Sequence, residues 1–435
     1  MPSCPALLVS APASGQGKTT ITAGLALLHR QLGRRVRVFK TGPDFLDPMI
    51  LERASGAPVQ SLDLWMAGED GCRRLLAEAA AQADLILIEG VMGLFDGTPS
   101  SADLAAKFGV PVVAVISAKS MAQTFGAVAF GLAHYRSDVA IHGVLANHVS
   151  SARHAQMIQA GMPDGLRWLG HLAPSAQMAL PERHLGLHQA GEIDQLESRI
   201  AFTAQALADT ALAELPAAVS FDAAPHDSCH KQPRLLEGTQ IAIARDAAFS
   251  FIYPANVNLL ESLGARVAFF SPLANEPVPS HADALYLPGG YPELHAATLA
   301  DNAVTAASIR GHATAGKPVV AECGGMLYLL DELTDTEDRS TPMLGLLPGR
   351  AAMQKRLVSL GMQALETKFG VLTGHTFHYS SMTTPLQPER HATRAQTGAP
   401  GEPVFRSGAI VASYMHGYWP SNPALAAALF CGKPF

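Results

Sequence analysis

Three short runs in the second half of the chain hold the residue types of an acyl-transfer centre. Cys323 stands in Ala321-Glu-Cys-Gly-Gly-Met-Leu-Tyr328, after an apolar run and before a helix-prone one. A nucleophile flanked in this way is expected on a sharp turn at a helix N-terminus, where the dipole lowers a thiol pKa. Leu287-Pro-Gly-Gly-Tyr-Pro-Glu293 closes another strand. The backbone N–H groups of Gly289 and Gly290, with Gly324 beside the cysteine, have the makings of an oxyanion hole. Ser413-Tyr-Met-His-Gly-Tyr-Trp419 places His416 after a third strand, where it would serve as general base and then acid. Alone, a cysteine is more often a small buried residue. Cysteine, glycine pair and histidine on successive strand ends read together as catalytic. Cys4, Cys72, Cys229 and Cys431 have no such context.

A second chemistry is written near the start. Ala11-Pro-Ala-Ser-Gly-Gln-Gly-Lys-Thr-Thr20 lies between an apolar strand, Pro5 to Ser10, and a run with apolar residues at helical spacing, Ile21 to Leu32. Gly15 and Gly17 let backbone N–H groups face one anion, and the helix N-terminus adds positive potential. Lys18 would contact the outer phosphates, Thr19 would ligate Mg²⁺, and Thr20 completes the ATP-binding loop. Pro12 stands where the usual pattern has its first glycine. Glu89, directly after Leu85-Ile-Leu-Ile88, and Asp44, after the strand Arg35 to Phe39, are the expected metal carboxylates with Thr19. Asp44 has a second reading as part of a turn in which Asp47 caps the next element. Asp96, in a glycine-flanked loop, either touches substrate or shapes its turn. Asn147, closing another strand, either reads the adenine edge or forms a turn.

Apolar strands alternating with helices predict an α/β protein, with a P-loop NTPase-type parallel sheet covered on both faces and ligands at the strand C-terminal ends. The alternation dissolves in a Pro- and Ala-rich stretch and then restarts. The expected division is a synthetase domain at 1–215, a linker at 216–237 and a second α/β domain at 238–435. The 435 residues are 48% hydrophobic and 16% charged, with net charge −6 and no basic block, which disfavours nucleic acid as a partner. With no secretory or membrane-spanning segment read and five dispersed cysteines, the expectation is a cytoplasmic protein without a disulfide framework.

Taken together, these runs resemble one family, the cobyrinic or hydrogenobyrinic acid a,c-diamide synthases. The resemblance is carried by the P-loop run and by Gly42-Pro-Asp-Phe-Leu-Asp-Pro48, Glu89-Gly-Val-Met-Gly-Leu-Phe-Asp-Gly97 and Leu180-Pro-Glu-Arg-His-Leu-Gly-Leu187. It is completed by Pro288-Gly-Gly-Tyr-Pro-Glu293, Glu322-Cys-Gly-Gly325 and Met415-His-Gly417. It implies a dethiobiotin-synthetase-like ATPase domain joined to a class I glutamine amidotransferase domain, using ATP, Mg²⁺ and L-glutamine to amidate two corrin carboxylates, with a homodimer left open. Lys40, Asp47 and Asp96 are the implied substrate contacts, and Arg183 and His184 are further cationic candidates. Phe45 and Thr376 depart from the family's usual tyrosine and glutamate. Tyr418 stands where many class I glutaminases have an orienting glutamate, so the resemblance is to a Cys–His dyad. Two alternatives share the fold, cobyric acid synthase and nickel-sirohydrochlorin a,c-diamide synthase. A third, from another class, is a regulatory P-loop ATPase with an inactive amidotransferase-like domain. Ala13, where partitioning ATPases have a second lysine, speaks against it.

Overall fold

The computed structural model describes residues 1–183, 186–187, 189–222 and 233–435, without the side chains of 182–183 and 186–187. The chain forms two compact units, Met1–Ser228 and Cys229–Phe435. His184, the Arg183 side chain and Cys229 lie outside what is described.

The first unit is built on β1 (Ser3–Ser10), α1 (Lys18–Gln31), β2 (Val36–Thr41), α2 (Leu46–Ser55), β3 (Gln60–Leu62), β4 (Leu85–Glu89), β5 (Val112–Ser117), β6 (Ile141–Asn147) and β7 (Trp168–His171). These seven strands pair in the order β3-β2-β4-β1-β5-β6-β7, all parallel. Because successive side chains point to opposite faces, each strand feeds two cores. Leu8, Ile86, Ile88, Ala114 and Ile116 pack into one. Leu7, Val9, Leu85, Leu87, Val113 and Val115 pack into the other. Apolar residues on both faces are what a parallel sheet covered by helices requires.

Within the expected linker of 216–237, residues at both ends find partners. Ala218–Ser220 forms a strand antiparallel to the start of β1, with Ser3 opposite Ser220, and Phe221 is buried in the first unit. Leu236 is fully buried in the second unit. The Pro- and Ala-rich composition that marks a linker thus extends into residues that still find strand and core partners.

In the second unit, five parallel strands lie in the order Arg266–Phe270, Gln240–Ala244, Ala284–Leu287, Val319–Glu322, Ile410–Ser413. The sheet then continues antiparallel through Pro400–Ser407, Arg390–Arg394, Ser359–Thr367 and Gly370–His378 to the short strand His416–Gly417. This extension was not read from the sequence.

Leu87 is fully buried and lies between Leu7 and Val38 in the first sheet. Leu87→Ala should destabilise the first unit by about 2–5 kcal/mol, from lost transfer energy and the cavity left behind. Urea unfolding followed by hydrogen exchange in β1, β2 and β4 checks it.

Candidate functional site

The C-terminal ends of β1, β2 and β4 surround a cavity of about 490 Å³. Gly15, Gly17, Lys18, Thr19 and Thr20 line it from the loop after β1. Gly15 and Gly17 both take positive φ, 74° and 94°, where a side chain would be strained. Helix α1 starts at Lys18 with no side-chain cap and no acidic residue in its first turn. Its N-terminal amides and positive potential are thereby available to an anion. The Lys18 ammonium donates to the carbonyls of Met92 (2.6 Å) and Ala13 (3.2 Å), which pins it across the loop. Burial and the nearby Lys40 charge lower its pKa.

Behind the loop lies a buried charge cluster. Lys40, 3% exposed, donates to Asp47 Oδ2 at 2.7 Å and Glu89 Oε1 at 2.9 Å, with Asp44 Oδ2 at 3.6 Å. The Thr19 hydroxyl donates to the same Glu89 oxygen at 2.8 Å. Burial opposes the Lys40 charge, yet the three carboxylates outweigh it and hold its pKa well above the ordinary value. Burial pushes Glu89 up to about 7. Burial and the Asp47 charge push Asp44 up to about 8. Burial would raise Asp47 too, but the charge and hydrogen bond of Lys40 outweigh it and the net shift is downward.

Asp44 follows its turn reading, and Asp47 does not cap the next element. Asp44 Oδ1 accepts from the amides of Leu46 (2.8 Å) and Asp47 (3.1 Å), so Asp44 caps α2. Asp47 is buried against Lys40 instead. Among the described residues, Asp47 Oδ1 and Glu89 Oε2 are buried without a hydrogen-bond partner. Lys40 lines the cavity, with its ammonium held by Asp47 and Glu89. Asp96 sits on an exposed loop and accepts from Gly93 N–H at 2.9 Å, so the turn-shaping reading is the one its geometry supports. Asn147 donates to Gln16 O and accepts from His148 N–H, both at 2.9 Å. Its amide braces the loop after β1. His148, not singled out from the sequence, lines the cavity.

The second constellation lies at the strand ends of the other unit. Cys323 caps the helix Gly324–Leu329 with φ 45° and ψ −110°, a conformation rare for a residue with a side chain. Its N–H donates to Ser413 O at 2.8 Å, binding the turn to the neighbouring strand. Three residues beyond Ser413, His416 pairs with His375 across the sheet, and their rings stack at 4.9 Å. A Cβ on Gly289 would lie 2.3 Å from His416 Cε1, and one on Gly324 would lie 2.9 Å from the Gly290 nitrogen. Only glycine permits these approaches, so the structure brings Cys323, Gly289, Gly290, Gly324 and His416 to one place. The sequence expectation of a lowered thiol pKa is not met. Cys323 is 6% exposed, and burial, reinforced by Glu293, pushes the thiol up. Burial, His375 and His378 push His416 well below its ordinary value.

Tyr418 is buried and packs edge-on to Tyr253, offering no carboxylate. Glu322, directly before the cysteine, puts Oε2 3.9 Å from His416 Nδ1. Thr376 donates to Glu402 Oε1 at 3.1 Å, and His378 Nε2 lies 3.3 Å from the same oxygen. A buried carboxylate therefore stands beside the position where the family pattern has a glutamate.

Comparison with known proteins gives the lineage. Residues 7–187 match the CobQ/CobB/MinD/ParA nucleotide-binding domain family and 240–424 the CobB/CobQ-like glutamine amidotransferase domain family. The chain is 58% identical to the hydrogenobyrinate a,c-diamide synthase of Stutzerimonas stutzeri, over 98% of both chains. It is 56% identical to that of Pseudomonas aeruginosa, over 98% of this chain and 97% of the relative. With the cobyrinate a,c-diamide synthase of Herminiimonas arsenicoxydans it shares 51% identity, over 98% of this chain and 96% of the relative. The chain belongs to the a,c-diamide synthase family. It joins a nucleotide-binding domain to a glutamine amidotransferase domain. Among the described residues, no helix is long and apolar enough to cross a membrane.

The buried histidines make the second unit acid-sensitive. His375 is held down to about 3 by burial, from an ordinary 6.5. Together with His416 it takes up a proton in the unfolded chain but not in the folded one, so stability falls as pH drops through that interval. Glu322, raised to about 7 by burial, acts in the opposite sense, because the folded form holds the extra proton. Two histidines outweigh one carboxyl. Protection of the second unit's strands in hydrogen exchange should decline from about pH 6.5 towards about pH 4, and His375→Asn should flatten that slope.

Proposed function

We propose that the chain is a glutamine- and ATP-dependent a,c-diamide synthase acting on hydrogenobyrinate or cobyrinate in corrin biosynthesis. The observation that carries this reading is the near-full-length identity to three relatives of that name. In the proposal the first unit makes the electrophile and the second supplies ammonia. A cytoplasmic setting is part of it and fits the free thiols of Cys4, Cys72, Cys323 and Cys431.

A carboxylate does not accept ammonia, because its carbon is a poor electrophile and oxide a poor leaving group. Transfer of the γ-phosphoryl group of ATP to a ring carboxylate gives an acyl phosphate and ADP. Ammonia then attacks the carbonyl carbon, and phosphate leaves with the carboxylate oxygen. The loop amides after β1 and Lys18 are placed to offset the charge spreading over the transferring oxygens. Mg²⁺ fits the residues present. Thr19 would hold it with Glu89 and Asp47, whose buried oxygens Oε2 and Oδ1 lack partners. Asp44 would support it from its capping position. Among the described residues, no three acidic, histidine or cysteine side chains cage an ion by themselves. That suits Mg²⁺, which binds through one or two carboxylates plus phosphates and water. When bound, the ion would supply charge neutralisation at the phosphates. Lys40 keeps Asp47 ionised and holds the Asp47 and Glu89 carboxylates in place meanwhile.

In the second unit, the Cys323 sulfur attacks the amide carbon of glutamine, with Gly289 and Gly290 N–H groups receiving the oxyanion. His416 takes the thiol proton and returns it to the leaving nitrogen, which departs as ammonia. Water, deprotonated by His416, then cleaves the γ-glutamyl thioester to glutamate and regenerates the thiol. Two turnovers give the diamide.

Lys18→Ala should abolish diamide formation with either nitrogen source, a loss of at least about 100-fold. Cys323→Ala should lose glutamine-dependent synthesis yet keep ammonia-dependent synthesis at high ammonium and raised pH. Mass analysis of the corrin product and glutamate release measure both. Glutamine-driven synthesis by Cys323→Ala would overturn the assignment.

A further inference from the structure

We infer that Glu322 is the positioning residue for His416, making the glutaminase centre a Cys–His–Glu arrangement whose acid comes from the residue directly before the nucleophile. The inference rests on the glutaminase reading above and deepens it. Glu322 ends the strand Val319–Glu322, opposite Ser413 in the parallel register. Its side chain therefore points into the same interior that the backbone reaches three residues after Ser413 as His416. Two fixed donors aim the carboxylate. Oε2 accepts from the Tyr286 hydroxyl at 2.7 Å, and Oε1 from Gly417 N–H at 3.1 Å. Tyr286 is 1% exposed, and its ring is locked edge-on against Trp419 and Phe430. From this seat Oε2 lies 3.9 Å from His416 Nδ1.

The seat acts on the histidine in three ways. Gly417 N–H fixes the backbone on the C-terminal side of His416, so the carboxylate acts on ring position as well as charge. A negative group facing Nδ1 favours the Nδ1–H form and leaves Nε2 for the thiol, the general logic of a base held by an orienting acid. It also stabilises the imidazolium that forms when the thiol proton moves. Around the imidazole, His375 and His378 oppose protonation and Glu402 favours it. The carboxyl itself faces Tyr286, with Cys323 and Tyr253 near the same hydroxyl. Burial raises Glu322 to about 7, so an adjacent imidazolium draws it towards the anion. The usual sequence position for such an acid, Tyr418, carries none.

The test uses the full-length protein. Glu322→Gln should lower kcat for glutamine hydrolysis about 10- to 100-fold, with KM for glutamine within about twofold and ammonia-supported synthesis at the wild-type rate. The pH of half-maximal alkylation of Cys323 by iodoacetamide, followed on the peptide carrying it, should fall, because with the imidazole uncharged at rest the Glu322 charge opposes ionisation of the thiol. Glu322→Asp should recover part of kcat and return the alkylation profile towards wild type. Wild-type kcat in Glu322→Gln, a loss confined to KM, or an unmoved alkylation profile would each overturn the inference. Should Glu322→Gln prove unfolded by circular dichroism, Glu322→Asp decides alone, and a wild-type kcat and profile in it count against the assignment. Failure of the underlying reading looks different, with no glutamate release by the wild type or undiminished release by Cys323→Ala.

Discussion

A parallel sheet delivers every strand to the same edge, and in this molecule both chemistries are placed by that constraint. The phosphate loop, Lys40 and Glu89 follow or end β1, β2 and β4, neighbours across the order β2-β4-β1. Cys323, Gly289 and Gly290 follow adjacent strands of the second sheet. Strand C-termini leave carbonyls and side chains directed outward, while the following helices direct N–H groups back at the same space. The apolar body of each strand, buried on both faces, supplies the rigidity against which these ends are held.

The cost of this arrangement is buried charge, and the first unit answers it with Lys40. Three carboxylates gathered near a phosphate cradle would repel one another and the nucleotide. A lysine at the centre, donating to two of them, keeps Asp47 ionised and limits the upward push on Glu89. Breaking such a buried pair leaves an uncompensated charge, which is far more damaging than losing a surface pair. Lys40 is thus a counter-ion to these carboxylates, and their unpartnered oxygens, Asp47 Oδ1 and Glu89 Oε2, are offered to Mg²⁺ in the proposed mechanism.

Much of this was legible because the signals are local. A strand, a glycine loop, Gly17-Lys-Thr19 and a helix lie contiguous in the chain, as do the strand, Cys323 and the helix after it. What was missed depends on distant partners. Lys40 looked like a pocket cation, and only the fold places it between Asp47 and Glu89. From sequence Asp47 reads as the cap of the next element, and the amides at the start of α2 are taken by Asp44, three residues earlier. Asn147 sits at the predicted strand end, and only the fold shows its amide bonded to Gln16 O and His148 N–H. The antiparallel run from Ser359 to Ser407 escaped because its strands are partly exposed and carry mixed polar residues, as in Arg390–Arg394, so no long apolar run announces them.

The two sites also manage electrostatics in opposite ways. The phosphate cradle is charged at rest, and its potential is ready before an anion arrives. The thiol site is driven towards neutrality. Burial pushes Cys323 up and His416 down, so at rest the proton stays on sulfur and the imidazole is uncharged. An ion pair there must be stabilised by groups already in place, because the buried site cannot recruit water to solvate it. In the proposed mechanism the N–H groups of Gly289 and Gly290 serve the oxyanion, and the carboxyl of Glu322, aimed by Tyr286 and Gly417, faces the nitrogen that gains positive charge. The same burial that disfavours the thiolate in the empty site makes each of those fixed dipoles count for more once charge begins to move.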